Sequence, residues 1–401
     1  MKILCVLRVS KEMMMSKDVP VGYKLTEVGV IPEDWEVKSL GDIGEAIIGL
    51  TYSPSNVKES GLLVLRSSNI FEGRLAFDNN VYVDVTVAEK LKTQKGDILI
   101  CVRNGSRDLI GKCALIDERA VGETFGAFMT VFRTQFSSYA FLQFQSNLIK
   151  KQIHEHIGAT INQITNKNLR SFKIPLPPCV EEQEAIALVL SDTDALITSL
   201  DKLIAKKCDI KQAAMQQLLT GKQQLEGFSG DWEVKRLGDV LKVRHGKSQH
   251  NVIATDGKYP ILATGGEIGR TNAYLYNKPS VLIGRKGTID SPQYVDSPFW
   301  TIDTLFFTEI FDSVLPKFIY YKFNMINWRG YNEASGVPSL NASTIESIEF
   351  NCPKIEEQQV IAKVLSDMDS EISALEQRRD KTKALKQAMM QELLTGRIRL
   401  L

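Results

Sequence analysis

The chain is poor in the residues that build metal centres. It has four histidines and six cysteines in 401 residues, and no two cysteines form a Cys-x-x-Cys pair. Zinc sites draw on Cys and His clusters with short, regular spacings. We therefore predict no metal site. The scattered cysteines are typical of free thiols, so we expect a cytoplasmic protein, because disulfides form mainly in oxidising compartments.

Long apolar runs and an excess of one charge are also missing. The sequence has no run of 18 apolar residues, so it predicts neither a membrane-spanning helix nor a membrane partner. The 49 basic and 48 acidic residues leave a net charge of +1. Nucleic-acid-binding proteins usually carry a basic excess. Any DNA contact must therefore use local patches, or partner proteins must share the phosphate contacts.

Known catalytic motifs are absent as well. The sequence contains no Asn-Pro-Pro-Tyr tetrapeptide of the methyltransferase type, no GxxxxGK[ST] phosphate loop, no GxSxG and no HExxH. We therefore interpret the chain as a binding protein rather than an enzyme. We predict no catalytic residue and no cofactor held by this chain.

The chain does contain one set of landmarks twice. Glu-Glu-Gln, Leu-Ser-Asp and Leu-Leu-Thr-Gly recur at a constant offset of 175 residues, and Trp-Glu-Val-Lys-x-Leu-Gly-Asp recurs at an offset of 197. The first copies lie at residues 181–183, 190–192, 218–221 and 35–42, and the second copies at 356–358, 365–367, 393–396 and 232–239. Similar landmarks around dissimilar segments indicate one scaffold that carries two binding specificities.

Each Glu-Glu-Gln landmark opens a long amphipathic stretch. Residues 182–219 contain no proline or glycine, and apolar residues recur in steps of three and four there and in the second copy. This pattern predicts two helices of about 35 residues, or about 50 Å each. An antiparallel, coiled-coil-like pair would bury both apolar stripes. Packing of each helix on its own neighbouring domain is the alternative.

The dissimilar segments have β-rich patterns. Predicted strands lie at residues 61–65, 96–102, 131–133, 279–283 and 305–307, and short helices at 139–156 and 316–328. We predict the α+β class: two globular α/β domains, separated by two long antiparallel helices that form a coiled-coil-like pair, with a pseudo-twofold repeat.

Polar loops lie at matching places in the two domains, and in each domain one or more of them follows a predicted strand. They lie at residues 66–69, 103–106 and 160–163, and at 263–269, 285–288 and 335–340. Binding residues concentrate on loops held by a rigid scaffold. Arginine can read guanine and asparagine can read adenine through paired hydrogen bonds. A solvated turn is the alternative for any one loop, but the parallel placement favours a binding surface.

The combination of these landmarks resembles the specificity subunit of type I restriction-modification systems. The likeness runs from about Gly22 to Arg399. It implies that each variable domain recognises one half of a bipartite site in double-stranded DNA. It also implies that the repeated helices set the gap between the halves and dock two modification subunits, with restriction subunits completing the complex. S-adenosylmethionine would bind the modification partner, and ATP and Mg the restriction partner.

The resemblance also implies a division of the chain. Residues 1–21 lie outside the resemblance and have no counterpart in the second half, so we expect them to be a disordered leader. Residues 22–178 and 225–353 would be the two target-recognition domains, and residues 179–224 and 354–401 the two helical spacers.

Candidate DNA-binding residues follow from the loops and the resemblance together. In the first domain we predict DNA contacts by Arg66, Ser68, Asn69, Arg103, Asn104 and Asn162. In the second domain we predict them by Thr264, Arg285, Lys286, Ser335 and Ser339. Lys112, Lys167 and Arg270 are candidates for phosphate contacts, which add affinity without sequence choice.

Two other functions are compatible with the sequence. A helical scaffold could assemble a protein complex without touching DNA. A nuclease or methyltransferase half-enzyme is the second alternative, and it would bind S-adenosylmethionine by itself.

Overall fold

The computed structural model describes residues 19–157 and 162–400. The chain forms two compact units, unit 1 (Met1–Ser199 with Arg379–Leu401) and unit 2 (Leu200–Arg378). Most of the predicted leader, and Thr160 and Ile161 of one predicted loop, lie outside the described residues. The domain boundaries predicted at residues 178 and 353 fall in the short connections that precede the two long helices.

Unit 1 contains a domain built mainly from two four-stranded sheets. Its strands are β1 (Tyr23–Thr26), β2 (Gly29–Pro32), β3 (Glu36–Ser39), β4 (Glu45–Ile48), β5 (Val57–Lys58), β6 (Leu62–Leu65), β7 (Ile70–Phe71), β8 (Arg74–Leu75), β9 (Tyr82–Val83), β10 (Ile98–Cys101), β11 (Cys113–Leu115), β12 (Thr124–Phe125), β13 (Met129–Arg133) and β14 (Lys173–Leu176). Its short helices are α1 (Leu40–Ile43), α2 (Ser137–Gln145), α3 (Asn147–His156) and α4 (Asn166–Ser171). The long helix α5 (Val180–Leu219) begins in this unit.

Unit 2 contains the second domain and most of the second long helix. Its strands are β15 (Glu233–Arg236), β16 (Leu241–His245), β17 (Tyr259–Ala263), β18 (Gly266–Thr271), β19 (Ser280–Gly284), β20 (Gln293–Val295), β21 (Trp300–Thr301), β22 (Leu305–Ile310) and β23 (Glu349–Cys352). Its short helices are α6 (Leu237–Val240), α7 (Pro316–Met325) and α8 (Ala342–Ser347), and the long helix is α9 (Ile355–Leu393).

The two domains share the topology of their main sheet, although the second sheet has four strands in unit 1 and three in unit 2. The main sheet has the order β4-β13-β10-β11 in unit 1 and β16-β22-β19-β20 in unit 2, with every neighbouring pair antiparallel. A second sheet contains a parallel pair, β6 with β12 and β17 with β21. In each unit a further two-stranded sheet pairs the strand of the Trp-Glu-Val-Lys landmark with the strand before the long helix. The predicted fold class and internal repeat are confirmed.

The central strands form because their residues suit a sheet buried on both faces. All four residues of β10 and all five of β19 are buried. Continuous apolar runs bounded by glycine or proline are typical of such strands. The loops after these strands therefore start from rigid positions in both domains.

Each domain packs on the beginning of one long helix and the end of the other. In unit 1, Ile186 and Leu190 of α5 join the domain core together with Leu393 of α9. In unit 2, Ile361 and Leu365 of α9 join the domain core together with Leu219 of α5. Packing of each long helix on its neighbouring domain, the alternative to helix pairing, therefore occurs at the helix ends.

The two long helices also run antiparallel within each unit. In unit 2, Lys207 pairs with Glu371 at 2.7 Å and Lys211 pairs with Asp369, so residue numbers rise along α5 as they fall along α9. In unit 1, Lys386 of α9 pairs with Asp194 of α5 at 2.7 Å, and the chain beyond α9 reaches the start of α5. The predicted antiparallel pairing is confirmed for the segments inside each unit.

In each unit the landmark segments contact one another in the same way, which explains why they occur together in both halves of the sequence. The indole nitrogen Nε1 of Trp35 donates to Glu182 Oε2 at 3.3 Å, and Nε1 of Trp232 donates to Glu357 Oε2 at 3.1 Å. The glutamine of each Glu-Glu-Gln donates its amide to the proline carbonyl just upstream (Gln183 to Pro177, 2.8 Å; Gln358 to Pro353, 2.9 Å). Each bond ties a domain to the start of its long helix.

Two sequence predictions about local structure are wrong. The helix predicted at residues 139–156 is two helices, because Ser146 ends α2 and then caps α3, where its hydroxyl accepts from Ile149 N. The loop predicted at residues 263–269 is a β-hairpin of β17 and β18 that turns at Thr264 and Gly265. Within residues 19–157 and 162–400, no helix is long and apolar enough to span a membrane.

Candidate nucleic-acid interface

The first domain brings three chain segments together where strand β10 ends. The carbonyl of Phe128 accepts from Val102 N at 3.0 Å and from Arg103 N at 3.2 Å. Arg103 also forms an antiparallel bridge with Gln163, and Ile164 N donates to the Val102 carbonyl at 2.8 Å. We call this set of backbone contacts the strand-end junction.

The second domain builds the same junction from different residues. The carbonyl of Thr304 accepts from Arg285 N at 2.8 Å and from Lys286 N at 3.3 Å. Lys286 forms an antiparallel bridge with Ser339, and Leu340 N donates to the Arg285 carbonyl at 2.9 Å. By hydrogen-bond pattern, Lys286 therefore corresponds to Arg103, Ser339 to Gln163, and Thr304 to Phe128.

The junctions present unlike side chains at equivalent places. Arg103 and Lys286 are both exposed. The Arg103 guanidinium carbon lies 4.9 Å from the ring centroid of Phe128, which is itself 56% exposed. Thr304 replaces that ring by a small hydroxyl side chain in the second domain. One junction therefore offers a guanidinium that stacks on an aromatic ring, and the other offers an ammonium and small hydroxyl side chains.

The polar loops of the first domain converge on this junction. Asn104 Nδ2 donates to Ser67 Oγ at 3.2 Å, and Asn162 Nδ2 donates to the Gly105 carbonyl at 2.9 Å. Lys112 Nζ donates to the Ser67 carbonyl at 3.3 Å. Ser68 is exposed next to Ser67. The structure thus places Ser68, Arg103, Asn104 and Asn162 on one surface, although their roles in binding stay predictions.

Asn69 is the clearest correction among the candidate residues. Its side chain is fully buried, and its Oδ1 accepts from Arg66 N at 3.0 Å. Its Nδ2 donates to the Ala76 carbonyl and to Asn80 Oδ1 at 3.0 and 3.1 Å. Because every hydrogen-bonding atom of this amide is engaged inside the protein, Asn69 shapes the loop and does not face a duplex. Arg66 is half-buried and donates to the Asn79 carbonyl.

The candidate DNA-binding residues of the second domain do not all lie at its strand-end junction. Lys286 and Ser339 meet at the junction, and the half-buried Arg285 donates to the Asp303 carbonyl at 3.2 Å. Ser335 is exposed on the loop that precedes Ser339. Thr264 lies in the β17–β18 turn, where its carbonyl accepts from Gln293 Nε2. Among the described residues, no hydrogen bond joins Thr264 to the junction.

The phosphate-contact candidates differ in availability. Lys167 is exposed on α4. The Arg270 side chain is 46% exposed, but its guanidinium already donates to the carbonyls of Gly257 and Lys258 at 2.8 and 3.0 Å and pairs with Glu267. The prediction of a phosphate contact by Arg270 is therefore not supported by its surroundings.

The side chains at the junctions offer hydrogen-bond donors and acceptors. Burial raises the pKa of the Cys101 thiol, next to the first junction, and raises the pKa of Cys113 to about 12. Both shifts favour the neutral thiol, whereas nucleophilic cysteines need the thiolate. In the part of the chain that the structure describes, no three His, Cys, Asp or Glu side chains are grouped to hold a metal ion.

Two features of the site are absent from the sequence predictions. Phe128 has no sequence signal, because an exposed aromatic residue belongs to no periodic pattern. Gly49 and Gly246 do have one, since they stand at the landmark offset of 197. Each lies directly against a backbone carbonyl beside the junction, that of Gly126 or of Ile302. Their shared offset was the signal that could have found them.

Comparison with known proteins places these features in a family. The model of the type I restriction modification DNA specificity domain matches residues 32–207 and again residues 229–385. The chain is 28% identical to the putative type I restriction enzyme MjaX specificity subunit of Methanocaldococcus jannaschii, over 94% of this chain and 96% of that protein. It is 24% identical to the type I restriction enzyme MjaVIII specificity subunit of the same organism, over 92% and 94%.

Solved structures show the same fold. The crystal structure of a type I restriction-modification S subunit from M. genitalium superposes with a TM-score of 0.62 at 17% identity, covering 92% of this chain and 98% of that one. A chain from a study of complex assembly and conformational transition of the type I system gives a TM-score of 0.57 at 16% identity, covering 92% and 99%. Since the two family matches together span well over half of the sequence, this chain belongs to the type I restriction-modification DNA specificity family.

Proposed function

We propose that this chain is the DNA-reading subunit of a type I restriction-modification complex. Each domain reads one half of a bipartite target in double-stranded DNA. The paired helices set the gap between the halves and dock two modification subunits. The chain itself contributes no catalytic group, so methyl transfer with S-adenosylmethionine belongs to the modification subunit, and ATP and Mg to a restriction subunit.

The observation that carries this proposal is the strand-end junction. Two domains with one main-sheet topology build the same backbone arrangement and then place Arg103 and Phe128, or Lys286 and Thr304, on it. A scaffold with only a structural task has no need for unlike exposed side chains on the same backbone arrangement. Arginine, lysine and hydroxyl groups are the donors and acceptors that read base edges in the major groove.

The charge balance supports a partner-assisted mode of DNA binding. A net charge of +1 supplies little of the phosphate neutralisation on which DNA affinity depends. One solved chain of similar fold comes from work on assembly of the type I system. We therefore expect the modification subunits to provide most phosphate contacts, while this chain provides sequence choice.

Replacing Arg103 by alanine is expected to relax the target at one base position of one half-site. A bidentate arginine–guanine contact contributes about 1–3 kcal/mol of discrimination, and the exposed Arg103 guanidinium lies over the Phe128 ring. The measurement is the methylation pattern of a cell that expresses this chain with its modification subunit. Lys286→Ala is the matched control, and it should affect only the other half-site.

Changes in both halves after a single substitution would contradict independent reading. Unchanged methylation patterns with both variants would show that the junction side chains do not recognise the target bases. If the complex assembles but retains no DNA of any sequence in a mobility-shift experiment, the scaffold function is supported instead.

A further inference from the structure

Unit 1 holds one arginine between two carboxylates. Arg399 Nη1 and Nη2 donate to the two carboxylate oxygens of Asp34, each at 2.9 Å. Its Nη2 also donates to Glu182 Oε2 at 2.9 Å, and its Nε to Glu182 Oε1. The guanidinium carbon lies 5.6 Å from the centroid of the Trp35 ring. Trp35 and Glu182 are both fully buried beneath it.

Unit 2 repeats the three residues that surround this arginine. Asp231, Trp232 and Glu357 stand at the landmark offsets from Asp34, Trp35 and Glu182. Glu357 Oε2 accepts from Trp232 Nε1, but Glu357 Oε1 is buried with no hydrogen-bond partner among the described residues. The Glu357 residue is only 5% exposed. A buried carboxylate oxygen without a donor is costly, and it points to a donor from another molecule.

Unit 2 has no arginine at the position equivalent to Arg399. Position 224 corresponds to Arg399 in the Leu-Leu-Thr-Gly repeat, and it is a glutamine. The Gln224 amide donates to the Gly230 carbonyl at 2.7 Å instead of to Glu357. Trp232 is partly exposed where Trp35 is covered.

An amine that lies near the Trp232 ring donates its hydrogen bond elsewhere. Lys322 Nζ lies 5.4 Å from the Trp232 ring centroid and donates to the carbonyl of Leu219 at the end of α5. In unit 1 the same helix-end carbonyl, that of Leu394, accepts from Gln143 Nε2 at 3.1 Å. Lys322 therefore occupies the helix-end position of Gln143 and not the position of Arg399.

We infer that unit 2 carries an open guanidinium site, formed by Asp231, Trp232 and Glu357 and filled by an arginine of the docked modification subunit. A planar guanidinium can hydrogen-bond two carboxylates and stack on an aromatic face at once, whereas an ammonium is a single point charge. Arg399 in unit 1 shows that this arrangement of residues accepts arginine. The identity of the arginine's source rests on the proposed function, but the existence of the site does not.

The site is tested by adding N-acetyl-argininamide to the full chain while the tryptophan indole N–H signals are recorded by NMR. The Trp232 signal is expected to shift saturably, while the Trp35 signal stays in place because Arg399 fills the equivalent site. The neutral isostere N-acetyl-citrulline amide should shift neither. The variant Gln224→Arg fills the site from within the chain and should abolish the response without unfolding the protein. No shift at Trp232, or equal shifts at Trp35 and Trp232, would overturn the site.

The source of the arginine is tested by the affinity of the purified modification subunit for the full chain. Gln224→Arg and Glu357→Gln are each expected to weaken binding about tenfold or more, since truncating or blocking a buried charge pair acts at this scale. Unchanged affinity of both variants, together with a positive argininamide result, would overturn the modification subunit as the source. A wild-type chain that binds no modification subunit would contradict the proposed function and leave the argininamide result standing.

Discussion

Replacing Arg399 by alanine is expected to destabilise unit 1 by about 3 kcal/mol. The change leaves the Glu182 carboxylate, which is 0% exposed, with the Trp35 indole as its remaining partner. Removing one member of a buried ion pair costs about 3–5 kcal/mol because the other charge stays buried. We take the lower end because the Arg399 side chain is 23% exposed. The substitution also uncovers the face of Trp35.

The measurement is amide hydrogen exchange, because the two units need not unfold together. Protection is expected to fall by about two powers of ten at the start of α5, and to stay unchanged at the start of α9. Gln224→Ala is the matched control, since it removes one hydrogen bond that contributes about 1 kcal/mol. Equal losses in the two variants would show that the Arg399 contacts do not stabilise unit 1.

Replacing Gly246 by alanine is expected to destabilise unit 2 by about 3 kcal/mol and to abolish recognition of the second half-site. An added Cβ would overlap the carbonyl oxygen of Ile302. Neither backbone segment can move aside, because each is held by a hydrogen bond. Gly246 N donates to the Leu305 carbonyl and Ile302 N donates to the Leu262 carbonyl, each at 3.2 Å. Overpacking of this kind typically costs about 1–3 kcal/mol, occasionally more, and here the overlap is with backbone.

Gly265→Ala provides the control for this substitution. No heavy atom lies within 4 Å of a Cβ added at Gly265, and its backbone is outside the left-handed region. Its effect should therefore stay within about 0.5 kcal/mol. Hydrogen exchange in β16 and β22, with the methylation pattern, measures both outcomes. A Gly246→Ala variant with wild-type stability and an unchanged second half-site would contradict the close approach at Ile302.

Features with a local signal could be predicted from the sequence. The long helices follow from an apolar stripe that a proline precedes and a glycine ends. Strands β10 and β19 follow from short apolar runs. The repeat follows from landmark offsets, and the structure supplies its cause, which is the contact between the landmark tryptophan and the landmark glutamate in each unit.

Features that depend on distant contacts could not be predicted. Asn69 is of a residue type that can read bases. Its side-chain amide, however, donates to the Ala76 carbonyl and to Asn80 Oδ1, which lie on the other side of a hairpin. Arg399 meets Glu182 across 217 positions of sequence. No sequence pattern near either residue predicts its partner, because tertiary packing rather than local propensity determines these contacts. The convergence of Ser67, Asn104 and Asn162 on one surface was likewise visible only in the fold.

Independent reading by two domains is the central claim, and domain exchange tests it most directly. Residues 61–175 would be replaced by the equivalent segment of another family member, and the methylation pattern would be read by sequencing a genome modified by the hybrid chain with its modification subunit. We predict a new sequence in one half-site, with the other half-site and the gap between them unchanged. New sequences in both halves, or an unaltered target, would contradict the claim.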